Sequence, residues 1–333
     1  MTYAAASGDR EGAPGRMRIM GISERRSLRV APHGINVAWL RSTLRWCAVA
    51  PLLLLLTACH WAVLDPRGPV GQADRTILID SLAIMLAIVI PTILATIGIA
   101  FWFRSSNRRA RYRPDFTYSG RLELLVWSIP AMTVLLVGGV AWIGAHDLDP
   151  RKPIASSVEP LRVQVVSLDW KWLFIYPDQG IASVNHLTVP VGTPVSFELT
   201  SSGPMNSFFV PQLGSQIYTM AGMMTRLHLQ ADHEGTYPGL SANYSGEGFA
   251  DMRFTVDAVP PEAFAQWIDA ARSSAGPMLD AGTYAALAKP SSAVAPFTYR
   301  SVAPDLFNGI LGSAMHPHGS AELAHPTAER VEK

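Results

Sequence analysis

The chain has 333 residues, 49% of them hydrophobic and only 16% charged, and its 27 Lys and Arg nearly balance 26 Asp and Glu for a formal net charge of +1. That balance leaves no basic footprint for a nucleic-acid partner. Two cysteines in this length, Cys47 and Cys59, exclude a disulfide framework.

Both cysteines lie in "LRSTLRWCAVAPLLLLLTACHW", where Arg41 and Arg45 precede a short apolar run that ends in Leu56-Thr57-Ala58-Cys59. A basic region, a short hydrophobic core and small residues before a cleavage point describe a secretory signal over residues 1–58. The apolar stretch Ala48 to Ala58 is too short to cross roughly 30 Å of hydrocarbon. Its ending resembles a bacterial lipobox, which implies that Cys59 carries a diacylglyceryl group and begins the mature chain. Residues 1–40 exceed the usual length of such a leader, so Met17 and Met20 are alternative starts. Residues 59–75 follow as a short periplasmic segment.

Residues 76–146 are expected to form a transmembrane hairpin. The runs Ser81 to Phe103 and Leu124 to Ala145 each reach the roughly 20 apolar residues that a spanning helix needs. Each contains a proline, Pro91 or Pro130, which neighbouring helices can accommodate in a membrane. Trp102, Trp127 and Trp142 stand near the run ends, where an interfacial aromatic belt places them. The connector, residues 104–121, carries Arg104, Arg108, Arg109, Arg111, Arg113 and Arg121 against the single Asp115. By the positive-inside rule this loop is cytoplasmic, and both ends of the mature chain face the periplasm.

After a Pro- and Ser-containing linker, residues 147–160, short strand-like runs recur over residues 161–258: "LRVQVVSL", "WKWLFIYP", "HLTVPVG", "PVSFELT", "NSFFVP", "TRLHLQ" and "DMRFTV". Val195, Phe197 and Leu199 alternate with Ser196, Glu198 and Thr200, so one face of that strand is buried. This spacing predicts an antiparallel β-sandwich with Greek-key connections. From residue 259 to 312 the pattern turns helical: Phe264, Trp267, Ile268 and Ala271 share one face behind Pro261 near a helix start. Residues 313–333, with His316, His318 and His325, are polar and Pro-containing and read as a disordered tail.

Two membrane helices around a cytoplasmic loop, followed by "DWKWLFIYP", "MNSFFVPQLGSQIYTMAGM" and "GLSANYSGEGFADM", resemble subunit II of the haem-copper terminal oxidases over roughly residues 60 to 310. The resemblance implies a membrane-anchored α+β chain: the helix hairpin, a periplasmic cupredoxin-like Greek-key sandwich, and a short helical C-terminal arm. In the cytochrome c oxidases of that family the sandwich holds a dinuclear copper centre built from one histidine and a Cys-x-Glu-x-Cys-x-x-x-His-x-x-Met loop. On this chain those positions are Asn206, Ser241, Asn243, Ser245, Phe249 and Met252, so only the methionine is retained. A serine hydroxyl is neither soft nor deprotonated near pH 7, and neither Asn206 nor Phe249 offers an imidazole. The resemblance therefore implies a domain without copper and without a redox centre, as in the bo-type ubiquinol oxidases. There the haems and a copper are expected in a partner, subunit I, with ubiquinol bound mainly in that subunit and further small membrane subunits beside it.

Three further groups carry expectations. Glu123, at the cytoplasmic start of the second helix, is the one acid in either apolar run or its cytoplasmic approach, and an ionisable group at that depth is a functional candidate; the resemblance makes it a proton-uptake point. Trp170 and Trp172 are expected to pack against subunit I. His186, His228 and His233 have no shared-face spacing and read as ordinary hydrogen-bonded residues. A rival from another class is a free-standing, lipid-anchored cupredoxin-like assembly or copper-delivery factor, for which "MAGMM" at 220–224 is the one candidate cluster.

Overall fold

The computed structural model describes residues 62–111 and 113–315; the leader, Cys59 and the tail from residue 316 lie outside the described residues. After a 3-10 turn at Ala62–Leu64, helix α1 runs Pro69–Trp102 and helix α2 runs Gly120–Asp147. Pro69 opens α1 because proline's fixed φ suits the first helical position and its missing N–H has no partner to lose there. At 34 and 28 residues both helices are long and apolar enough to span a bilayer. Side chains such as Leu94, Leu124, Val134 and Leu135 stand more than 60% exposed along them. Apolar surface of that extent needs lipid or a partner against it.

Helix α1 begins twelve residues before the apolar run, and its first turns belong to the β-domain rather than to lipid. Arg67 N donates to Gln212 O (2.7 Å), Asp232 N to Arg67 O (2.8 Å) and Gly71 N to Leu213 O (3.1 Å). At Gly68 a Cβ would come within 2.0 Å of Gln230 O, so only glycine fits this close approach. Ser215 Oγ bonds Asp74 Oδ2 at 2.9 Å. The longer helices contain Asp74, Asp80 and Asp147, which corrects the expectation that Glu123 is their only acid. It remains the acid at the Arg-rich end of the hairpin.

The β-domain holds two main sheets. One has the order β12-β3-β2-β1-β5-β8 and the other β4-β10-β9-β6-β7. The strands are β1 (Leu161–Leu168), β2 (Lys171–Tyr176), β3 (Ile181–Val184), β4 (His186–Pro190), β5 (Val195–Ser201), β6 (Asn206–Phe209), β7 (Ile217–Thr219), β8 (Thr225–Leu229), β9 (Gly235–Ser241), β10 (Arg253–Val259) and β12 (Phe297–Tyr299). A small pair, β11 (Met278–Leu279) with β13 (Ser301–Val302), stands apart.

The sheets are mixed, not purely antiparallel as expected. β1 runs parallel to β5 and β4 parallel to β10. The cause lies at Asn185, which sits at φ 53° between β3 and β4. Asparagine tolerates the left-handed region, and the chain crosses there from one sheet to the other before β5 returns beside β1. The Asn185 side chain fixes the crossing: Oδ1 accepts from Trp172 N and Nδ2 donates to Val294 O, both at 2.8 Å.

Alternate residues of β1 and β2 face two different cores. Val163, Val165, Trp172, Phe174 and Tyr176 point between the sheets with Phe208 and Phe254. Val166, Leu168, Leu173 and Ile175 point outward, where Leu279, Tyr299, Phe307 and Ile310 cover them. The C-terminal segment thus forms a third layer. Helix α3 (Pro261–Ser273) lays Phe264, Ile268 and Ala271 on the inner core, while α4 (Ala281–Leu287) and α5 (Leu306–Met315) belong to the outer layer, and β12 adds to the edge of β3. The expected helical arm is present, and it carries the short strands β11, β12 and β13 as well.

Candidate functional site

Strand β9 ends at Ser241, and the chain returns to β10 through a turn and a 3-10 helix at Glu247–Asp251. Strand β6 pairs with β9 and brings Asn206 beside this loop. Asn206, Ser241 and Met252 are all 2% exposed or less, so every polar atom here needs a partner. Ser241 Oγ lies 3.0 Å from Asn206 Oδ1 and 3.2 Å from Asn243 O, and it accepts from Ser207 N at 3.4 Å. Asn206 Nδ2 donates to Pro204 O at 3.1 Å, and Ser241 N to Met252 O at 3.2 Å. Ser245 Oγ stands 3.8 Å from Met252 Sδ. Four of the six positions assigned by resemblance, Asn206, Ser241, Ser245 and Met252, therefore form one connected cluster.

The other two turn away. Asn243 Nδ2 donates to Met205 O (3.1 Å) and Tyr244 O (3.3 Å). The Phe249 ring packs on Tyr244 with centroids 5.5 Å apart. The cluster offers an amide, two hydroxyls and a thioether, and among the described residues no group of three or more His, Cys, Asp or Glu could hold a metal ion. A thiolate-bridged copper pair needs soft, deprotonated sulfur. The residues present do not fit one.

Three consecutive residues, Trp170, Lys171 and Trp172, secure the surroundings. Trp170 sits at φ 64°, an uncommon conformation for a bulky side chain. Its indole N–H donates to Ser245 O at 3.1 Å, and its ring covers Gly248 so closely that a Cβ there would lie 2.4 Å away. Trp172 is wholly buried in the inner core against Phe208 and Phe254, which corrects its expected place at a subunit interface. Lys171, 1% exposed, reaches the other way: Nζ donates to Lys289 O (2.8 Å), Ser291 Oγ (2.7 Å) and Asp169 O (3.3 Å). Burial holds this amine below the usual lysine value, and Asp169 partly offsets that. "DWKW" gave one signal for this, a lysine inside an otherwise continuous apolar strand.

Glu123 lies in the first turn of α2, exposed, its N–H bonded to Ser119 O at 3.0 Å. Among the described residues neither Glu123 nor Arg121 enters an ion pair. The three sandwich histidines are dispersed: His186 Nε2 bonds Asp257 at 2.7 Å, while His228 contacts Ser196 Oγ and Pro150 O. His233 offers its carbonyl to the Tyr237 hydroxyl. Met223 and Met224 of "MAGMM" stand exposed on the turn before β8.

Residues 178–259 match the family described as cytochrome c oxidase subunit II, periplasmic domain, and residues 273–318 match the COX aromatic rich motif. The cytochrome bo(3) ubiquinol oxidase subunit 2 of Pseudomonas aeruginosa is 48% identical over 85% of this chain and 85% of its own. The chain belongs to the quinol-oxidase subunit 2 family. Ubiquinol oxidase subunit 2 of Acetobacter aceti is 47% identical over 78% of this chain and 84% of its own. A solved periplasmic domain of subunit II of cytochrome oxidase from Bradyrhizobium japonicum is similar over 35% of this chain and 95% of that one, with 22% identity and a TM-score of 0.33. Within this family chain, the aromatic-rich match coincides with the third layer, which buries Tyr299 and Phe307 on the outer face of β1 and β2.

Proposed function

We propose that this chain is the non-redox subunit II of a quinol-oxidising, oxygen-reducing, proton-translocating terminal oxidase of the bacterial inner membrane. It caps and stabilises subunit I, which carries the haems, the copper and most of the ubiquinol site. The observation that supports this best is the cluster of Asn206, Ser241, Ser245 and Met252. It keeps the connectivity of a metal loop and satisfies it with neutral hydrogen bonds. A subunit without thiolates at these positions has no copper pair through which to accept electrons from cytochrome c, so the electrons come from a membrane quinol delivered directly to subunit I. The names of the relatives, oxidase subunits in each case, favour this over an assembly factor. The decisive experiment is oxygen uptake by the purified complex. Ubiquinol should sustain it and reduced cytochrome c should not; the reverse result, or a purified chain with no haem absorbance, overturns the reading.

The same proposal places Glu123 at the mouth of a proton path from the cytoplasm into subunit I. Its exposed, unpaired carboxylate at the Arg-rich end of the hairpin supports that role. Glu123→Ala should slow ubiquinol turnover with haem content unchanged, and Glu123→Asp should recover part of the rate. Parental turnover in the alanine variant from acid to alkaline pH would leave Glu123 as a helix-start acid that suits the macrodipole. Lipidation at Cys59, with the mature chain starting there, completes the proposal. Intact-mass measurement that finds an unmodified N-terminus upstream of Cys59 would remove it.

A further inference from the structure

The connector between the two helices is more than a marker of topology. Its backbone closes in turns directly beneath α1: Asn107 Nδ2 donates to Trp102 O (2.6 Å), Asn107 N to Arg104 O (2.9 Å), and Asn107 Oδ1 accepts from Arg109 N (3.1 Å). Phe116 N then bonds Arg113 O at 3.3 Å. These bonds hold the first part of the loop against the end of α1. Arg104, Arg108, Arg109, Arg111, Arg113 and Arg121 are all exposed, and among the described residues none of them pairs with a carboxylate. Phe103, Phe116 and Tyr118 stand 60%, 57% and 70% exposed among them.

From this arrangement we infer that residues 103–111 and 113–121 form a binding surface for anionic phospholipid headgroups, with the guanidiniums on phosphate oxygens and the aromatic rings at the acyl boundary. Planar guanidinium forks match phosphate in two hydrogen bonds. Polybasic segments beside a spanning helix are attracted to acidic lipid, and amphipathic rings settle at the headgroup level. A loop meant only to set orientation needs the charge but not the exposed rings or the turns that draw it in. The inference rests on the hairpin spanning the membrane and places the lipid in the cytoplasmic leaflet.

The test uses the assembled oxidase in detergent, titrated with spin-labelled phosphatidylglycerol and, separately, with spin-labelled phosphatidylcholine. The parent should immobilise the anionic lipid preferentially. Arg109→Gln with Arg111→Gln should reduce that preference by roughly fivefold per arginine, while the four remaining arginines hold the topology. Arg109→Lys with Arg111→Lys should retain most of it. Equal preference in parent and glutamine variant overturns the proposal, as does displacement of the lipid by millimolar inorganic phosphate, which would identify a free-ion site. Absence of any anionic preference in the assembled complex, with the loop crosslinking to another subunit, would also overturn it and assign the surface to a protein partner. Protease access to the β-domain in spheroplasts checks orientation separately: a protected domain refutes the topology while leaving the lipid titration interpretable.

Discussion

Trp170 and Lys171 are adjacent in one tight turn, yet they secure two regions that are built in opposite ways. Trp170 holds the loop 241–252 by covering Gly248 and bonding one carbonyl. Lys171 holds the C-terminal layer by a buried ammonium with three acceptors. The loop is maintained by neutral groups that satisfy one another. The outer layer is an addition packed through Leu279, Tyr299, Phe307 and Ile310 and pinned at one point by a charge taken out of water, which costs free energy unless every donor is matched. The second region thus adds one buried ionic contact to an apolar interface.

The largest expected effect comes from giving the loop a full set of copper ligands. Asn206→His, Ser241→Cys, Asn243→Glu, Ser245→Cys and Phe249→His together should give the full chain stoichiometric copper binding with thiolate-to-copper absorption, since the ligand spacing is retained throughout. A folded variant, verified by circular dichroism, that binds no copper would show that the loop geometry has moved away from a metal frame. The outward turns of Asn243 and Phe249 are where such movement would appear.

Next in size is Lys171→Ala. It removes a buried four-carbon stem together with the donor to the Lys289 carbonyl and the Ser291 hydroxyl, two groups on exposed residues that water can reach, so a loss of about 2–3 kcal/mol is expected, about 1 kcal/mol for each lost hydrogen bond and the rest from packing. Limited proteolysis should cut residues 288–296 before any site in the sandwich. The pH dependence carries a definite sign. Because the folded amine is held below its ordinary value of 10.5, the unfolded chain binds more protons in the intervening window. The penalty for burying the charge is full below the folded value, and stability rises with pH from there toward 10.5. Lys171→Met, which has no such group, should lose that rise; an unchanged profile would mean that the amine is solvated after all.

The contrast also explains what could be read from the sequence and what could not. The hairpin and its Arg-rich loop were legible because composition and length encode them locally. The outer layer was not. Phe297-Thr298-Tyr299 is too short to show a period of two, and it becomes a strand only because the edge of β3 is open beside it. "WKWLFIY" lacks alternation because both its faces are covered, a fact visible only once Leu279 and Phe307 are in place. The start of α1 was missed for a similar reason. Its first turn, "PVGQAD", is not apolar, and backbone bonds to Gln212 and Leu213 fasten it rather than lipid.

The smallest effect tests whether the loop's polar groups act as one unit. Ser241→Ala removes the donor to Asn206 Oδ1 and the acceptor for Ser207 N, so it should cost about 1–2 kcal/mol in urea unfolding. Asn206→Ala should cost a similar amount by leaving the Ser241 hydroxyl with fewer partners. Each single change strands a buried group that the other change would have removed. The double variant should therefore cost less than the sum of the two, with a coupling of about 0.5–1 kcal/mol. Ubiquinol turnover should be unaffected in all three, because the bond stabilises a shape and carries no electrons. Strict additivity would mean that water already satisfies these groups, and the loop would then owe its form to Trp170 and Gly248 alone.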